Sequence, residues 1–226
     1  MLRHFKSLLA DRPVPMRIWC DPFRGARIVM NPRNSLRKVF GLYEHELNGW
    51  LELALRRVYR VLDVGANDGY FTFGCAAVLR RLGVKGEITG FEPQKRCVEM
   101  LRESIAAQGP LEVRFEIVEA LVGREESEGM TTLDALPASD RRNTLIKIDV
   151  EGAELDVIAG ARSWMDASNL FVVEVHKEEY FGPLQRMFSE HGLKLVQVHQ
   201  CPLPLLGREE RAETNGWLVS DLATRA

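Results

Sequence analysis

The chain has 226 residues, of which 46% are hydrophobic, 27% charged and 8% aromatic, the profile of an ordinary globular protein and not of a disordered, fibrous or membrane-spanning one. Thirty basic against 32 acidic residues leave a formal net charge of -2, which offers no overall attraction for nucleic acid or anionic lipid. Cys20, Cys75, Cys97 and Cys201 form no CxxC pair, so free thiols in a reducing cytoplasm are expected in place of zinc or disulfide chemistry.

In MLRHFKSLLADRPVP the apolar patch runs straight into Asp11, too short for a signal-peptide core, and no window reaches the roughly 20 apolar residues of a membrane helix. Residues 2–10 read either as a packing helix or as a short interfacial one. Alternation in MRIWC and ARIVM around DPFRG makes residues 16–31 a small hairpin or an extended cover. From Tyr43 to Arg57 the apolar residues recur at three- and four-residue steps, the pattern of an amphipathic helix. Strands are then expected at 59–64, 87–92, 113–119, 144–150 and 170–176, and helices near 71–82, 94–108, 152–162 and 181–191. Runs of Val, Ile and Leu separated by helices indicate a mainly parallel sheet covered on both faces. Residues 193–199 and 216–220 follow without a helix between them and read as a terminal antiparallel pair. Residues 124–143, polar around the small island TLDAL, are the expected mobile or substrate-facing insertion. All of this fits one domain over 1–226, with an N-terminal extension at 1–42 and an α/β core at 43–220.

Ligands of open parallel sheets sit beyond the carboxyl ends of the strands. The first core strand ends in VLDVGANDGY, where Gly65 and Gly69 flank Asn67 and Asp68. A dinucleotide fingerprint would need glycines at 65, 67 and 70, and two of the three are missing. Acids at Asp63 and Asp68 suit a ligand bearing an ammonium group better than a pyrophosphate. Glu92, in FEPQ after the second strand, stands where an acid takes both hydroxyls of a ribose.

The sequence resembles the FkbM-type family of class I S-adenosylmethionine-dependent methyltransferases. The resemblance rests on GLYEHEL (41–47), VLDVGANDGYFT (61–72), FEPQ (91–94), TLDAL (132–136), IKIDVEGAELDVIAGA (146–161) and VVEVH (172–176). It implies a Rossmann-like seven-stranded sheet, S-adenosylmethionine as methyl donor, and transfer most often to a hydroxyl oxygen. By the same resemblance Asp63, Gly65, Asn67 and Gly69 hold the methionine part of the cofactor, with Asp68 and Phe71 nearby. Glu92 and Pro93 lie at the ribose, and Glu119 and Ala120 at the adenine. Glu44 either approaches the amino end or fixes its own helix.

On the fourth strand Lys147, Asp149 and Glu151 are spaced by two, and on the fifth so are Glu174 and His176, which places each set on one side of its strand. Charges on a buried strand must pair or meet a ligand. Methyl transfer from a sulfonium needs alignment and removal of the acceptor's proton. His176 is the candidate base, with Asp149, Glu151 and Glu174 as its acidic partners. Glu154 and Asp156 fall in the first turn of the following helix, where acids stabilise the dipole, and are read as structural. The same acids would suit magnesium, but the resemblance requires no metal and none is assigned. The expected partner is a small-molecule, sugar or glycolipid-like acceptor. Nucleic acid is disfavoured by the charge. A non-catalytic S-adenosylmethionine-binding scaffold and a nicotinamide-dependent oxidoreductase are the competing readings.

Overall fold

A computed structural model describes residues 10–20, 22–108, 112–137, 140–203 and 216–223. The expected helix at 2–10 and most of the connection before the last strand lie outside the described residues. Strands β1 (Val14–Arg17) and β2 (Arg27–Met30) pair antiparallel, as the alternating sequence requires. Helix α1 (Pro32–Val39) follows at once. The Asn31 side chain caps it by accepting from the Arg33 amide at 3.0 Å, and Pro32 opens its first turn.

The single helix expected from Tyr43 to Arg57 is shorter. A 3-10 turn at His45–Leu47 leads into α2 (Asn48–Ala54), because Glu44 adopts a left-handed backbone at φ 50° that no continuous helix allows. The core then alternates: β3 (Arg60–Val64), α3 (Tyr70–Arg81), β4 (Glu87–Phe91), α4 (Lys95–Ala107) and β5 (Arg114–Val118). After two short strands, β6 (Leu121–Val122) and β7 (Met130–Thr131), come β8 (Thr144–Ile148), α5 (Glu154–Ala159), β9 (Leu170–Val175), α6 (Phe181–Ser189), β10 (Leu195–His199) and β11 (Gly216–Ser220).

Seven strands form one sheet in the order β10-β11-β9-β8-β3-β4-β5. Pairs from β9 through β5 are parallel, and β11 runs antiparallel to both its neighbours. The terminal pair is therefore antiparallel as expected, with the last strand lying inside the sheet and not at its edge. One face of the sheet packs against the hairpin and α2, α3 and α4, through residues such as Phe23, Leu51, Phe73 and Leu101. The other packs against α5 and α6, through Val157, Trp164, Leu184 and Phe188. Helices on both faces explain why β8 and β9 are buried along their whole length and carry no polar alternation.

Part of the expected insertion at 124–143 is built into the core. Leu133 is fully buried, its carbonyl accepts from Trp164 Nε1 at 2.9 Å, and Asp134 caps the 3-10 turn Arg162–Trp164 by accepting from the amides of Arg162 and Ser163. The TLDAL island is thus an anchor, because a buried leucine and an indole hydrogen bond hold it to the fold.

Candidate functional site

The sheet order reverses between β3 and β8, since β3 continues to β4 on one side while β8 and β9 extend the other. Such a switch point opens a crevice at the carboxyl ends of the strands. Both halves of the expected site lie there.

On the β3 side the chain turns tightly from Gly65 to Gly69. The amides of Gly65 and Ala66 both donate to the Phe91 carbonyl at 3.0 Å, which binds the turn to the end of β4. Gly65 has φ +83°, and a Cβ there would lie 2.0 Å from the Asp149 carbonyl oxygen. Only glycine lets the loop rest on the end of β8. Glu92 is 4% exposed, and its two carboxylate oxygens accept from the amides of Asn67 (2.8 Å) and Gln94 (2.9 Å). Asp68 accepts from the Tyr70 amide and pairs with Lys38 of α1 at 2.5 Å.

Beneath the loop, Asp63 and Lys147 face each other in register on β3 and β8. Asp63 is fully buried and accepts from the Thr72 hydroxyl, and its Oδ1 lies 3.5 Å from Lys147 Nζ. Burial pushes its carboxyl above the usual range against the pull of Lys147. Lys147 is 3.0 Å from Asp149 and 3.4 Å from the Gly65 carbonyl. Burial disfavours its charge, but Asp149, Asp63 and Glu44 together outweigh burial and hold the ammonium above its ordinary range. Glu44 thus acts on this lysine from its buried place before α2. Phe71 is buried in the first turn of α3, edge-on to Phe23, with Lys147 Nζ 5.6 Å from its ring centre.

At the ends of β8 and β9, Asp149, Glu174 and His176 each offer a polar atom within 4.8 Å of the others. A divalent cation would need such spacing, but the Lys147 ammonium already places positive charge on Asp149. Burial raises the Asp149 carboxyl, yet Lys147 and hydrogen bonds from Lys147 and Glu174 win and hold it below its usual range.

The decisive partner of His176 is a residue the sequence reading set aside. Glu154 is fully buried, and its Oε1 lies 2.6 Å from His176 Nδ1, while His176 Nε2 faces Asp149 Oδ1 at 3.7 Å. Burial disfavours the imidazolium, but the Glu154 hydrogen bond, with Glu174 and Asp149, holds it above its ordinary range. Glu154 is therefore no solvated dipole acid. Asp156, two residues on, is exposed and pairs with Arg124 at 2.9 Å.

Glu151 does not join the cluster. The strand ends at Ile148 and the chain turns at 151–153, so the spacing by two no longer applies and the side chain is exposed. At the end of β5 Glu119 is exposed, 3.9 Å from Arg102, and Ala120 follows it; Pro93 is exposed after β4.

The family model described as the methyltransferase FkbM domain matches residues 122–200, the stretch that carries β8, Glu154, β9 and His176. That match spans about a third of the chain, which over this stretch is similar to the FkbM methyltransferase domain. No curated protein sequence matches it. Among solved structures, an FkbM methyltransferase from Methylobacillus flagellatus KT is 16% identical over 73% of this chain and 44% of its own length, with a TM-score of 0.57. This chain thus spans less than half of that protein. TYW2 of P. horikoshii, solved in complex with MeSAdo, is 13% identical over 94% of this chain and 71% of its own, with a TM-score of 0.55. A tRNA (uracil-54, C5)-methyltransferase of Pyrococcus abyssi, solved with S-adenosyl-L-homocysteine, is 12% identical over 92% of this chain and 44% of its own, with a TM-score of 0.52. At these identities the likeness shows the fold alone, the α/β fold that these methyltransferases share.

Proposed function

We propose that the chain is an S-adenosylmethionine-dependent methyltransferase that acts on a hydroxyl group of a small-molecule, sugar or glycolipid-like acceptor. The observation that carries this reading is the His176 ring, fixed at Nδ1 by buried Glu154 with Nε2 turned toward Asp149.

Bound S-adenosylmethionine supplies a methyl group on a positively charged sulfur. The residues fit such a ligand. Buried Asp63 Oδ1 has only the 3.5 Å ion pair with Lys147, and carboxylates outnumber cations around the crevice, so a cationic ligand is favoured there. Asp63, Gly65, Asn67, Asp68 and Gly69, backed by Glu44 and Phe71, form the methionine end. Glu92 and Pro93 form the ribose end, and Glu119 with Ala120 the adenine end. Each Glu92 oxygen accepts one backbone N–H and keeps a lone pair for a hydroxyl.

On the acceptor side Nε2 of His176 would take the hydroxyl proton and keep it on the imidazolium, while the acceptor oxygen would gain the methyl group that S-adenosylmethionine would supply, its sulfur–methyl bond breaking to leave the neutral thioether. Glu154 holds the Nδ1 proton and so leaves Nε2 free to accept. Asp149 stabilises the positive charge that His176 gains. Because the imidazole is held above its ordinary range, this base forms at a higher pH than an unperturbed histidine would.

Calorimetric titration with S-adenosylmethionine, with its demethylated product and with NAD tests the reading. Micromolar binding of both sulfur nucleosides, absent for NAD and lost in Glu92→Ala, supports it. A folded protein that binds NAD, or whose nucleoside affinity is indifferent to Glu92→Ala, overturns it.

A further inference from the structure

The net charge of the whole chain hides a division within it. Residues 1–42 hold nine basic and two acidic side chains, a net +7, while the other 184 residues hold 21 and 30, a net -9. A segment this basic on an otherwise acidic protein points to an anionic partner.

The described part of that segment shows a surface built for one. In the β1–β2 hairpin Arg17 lies directly opposite Arg27, and both are exposed. Like charges facing across a strand pair cost stability, and among the described residues neither arginine pairs with an acid. Trp19 follows two residues after Arg17, beside the end of α1, where its amide donates to the Val39 carbonyl at 2.9 Å. It is 62% exposed and packs edge-on against Phe40, 44% exposed, with ring centres 5.7 Å apart. Two large rings thus stand in solvent near two arginines that pair with no acid among the described residues.

We propose that this N-terminal face docks on an anionic lipid surface. Trp and Phe settle at the headgroup level, and arginines draw on the negative potential there. The sequence ahead of the hairpin has the matching composition, with Leu2, Phe5, Leu8 and Leu9 spaced by three or four among Arg3, His4 and Lys6. Lipid is favoured over nucleic acid because the rings meet at 86°, edge to face, and offer no parallel pair of faces for bases to stack on. The surface also borders the site: Phe40 caps α1, and Lys38 in the last turn of α1 pairs with Asp68 of the glycine loop. Docking of this face needs nothing of the methyl-transfer reading and stands or falls separately from it.

Flotation of the full chain with phosphatidylcholine vesicles, with and without phosphatidylglycerol, tests the proposal. Binding should require phosphatidylglycerol and weaken with salt. At about fivefold per arginine, Arg17→Glu with Arg27→Glu should lower partitioning by about 25-fold or more, and Trp19→Ser should lower it as well. Both variants change exposed side chains, and unaltered circular dichroism and melting will verify that they fold. No flotation at low salt, full flotation of the charge-reversed protein, or a single-stranded RNA oligomer bound in preference to vesicles would each overturn it.

Discussion

Replacing Gly65 with alanine isolates the contact on which the crevice depends. The new methyl would sit 2.0 Å from the Asp149 carbonyl oxygen, more than an ångström inside ordinary contact, on a backbone at φ +83°. The left-handed conformation costs a non-glycine residue about 1–2 kcal/mol. Forcing a packed interior to make room adds about 1–3 kcal/mol. The sum, about 2–5 kcal/mol, should lower the melting temperature by at least about 4 °C in a domain of this size. Gly49→Ala is the control, since nothing lies within 4 Å of that position in α2 and alanine there should be neutral or gain up to about 1 kcal/mol. Urea unfolding followed by tryptophan fluorescence reads both, because Trp164 and Trp217 are fully buried. If Gly65→Ala unfolds within about 0.5 kcal/mol of the parent, the loop does not rest on β8 and the joined site dissolves into two separate features.

Lys147→Met should destabilise the fold by about 3–5 kcal/mol in the same assay, because it leaves buried Asp63 and half-buried Asp149 without their cation. A raised imidazole contributes stability that is complete below about pH 6.5 and is lost as pH rises through the folded value. The stability gap between the parent and His176→Gln should therefore shrink from mildly acidic to alkaline pH; a gap that widens refutes the sign. Glu154→Gln removes the charge beside Nδ1 and should move the His176 titration, read by NMR, toward acid. Turnover in Glu154→Gln should fall with nucleoside affinity kept, whereas a purely structural glutamate would lower both or neither.

The sheet was legible because its core strands are short stretches rich in Val, Ile, Leu and Phe separated by helical ones, and the glycine loop because Gly65, Asp68 and Gly69 follow the first of them directly. The elements that escaped have physical reasons. Helix α1 is only eight residues long, with Leu36 and Val39 as its large apolar side chains, too short a stretch for periodicity to be read, although Asn31-Pro32 is a good start signal in retrospect. Glu154 was taken for a dipole acid from its place in the first turn. Its spacing to buried Val157 and Ile158 puts it on the apolar stripe of α5, and an acid on that stripe must have a partner. Glu151 was misplaced by extending the period of two past the end of β8. The Lys38–Asp68 pair had no local signature, since the two residues lie far apart in the chain.

The position of β11 has a consequence for how the protein comes into being. It is fully buried between β9 and β10, it sets Trp217 opposite Glu174, and the Ser220 hydroxyl accepts from the Phe171 amide. Until residues near 220 have left the ribosome, β9 is an open edge and β10 has no neighbour to join. The strand that bears the acid and precedes the imidazole is thus the last to be enclosed. The glycine loop can seat against Asp149 once β8 is made, whereas β9 gains its second neighbour only when β11 has followed.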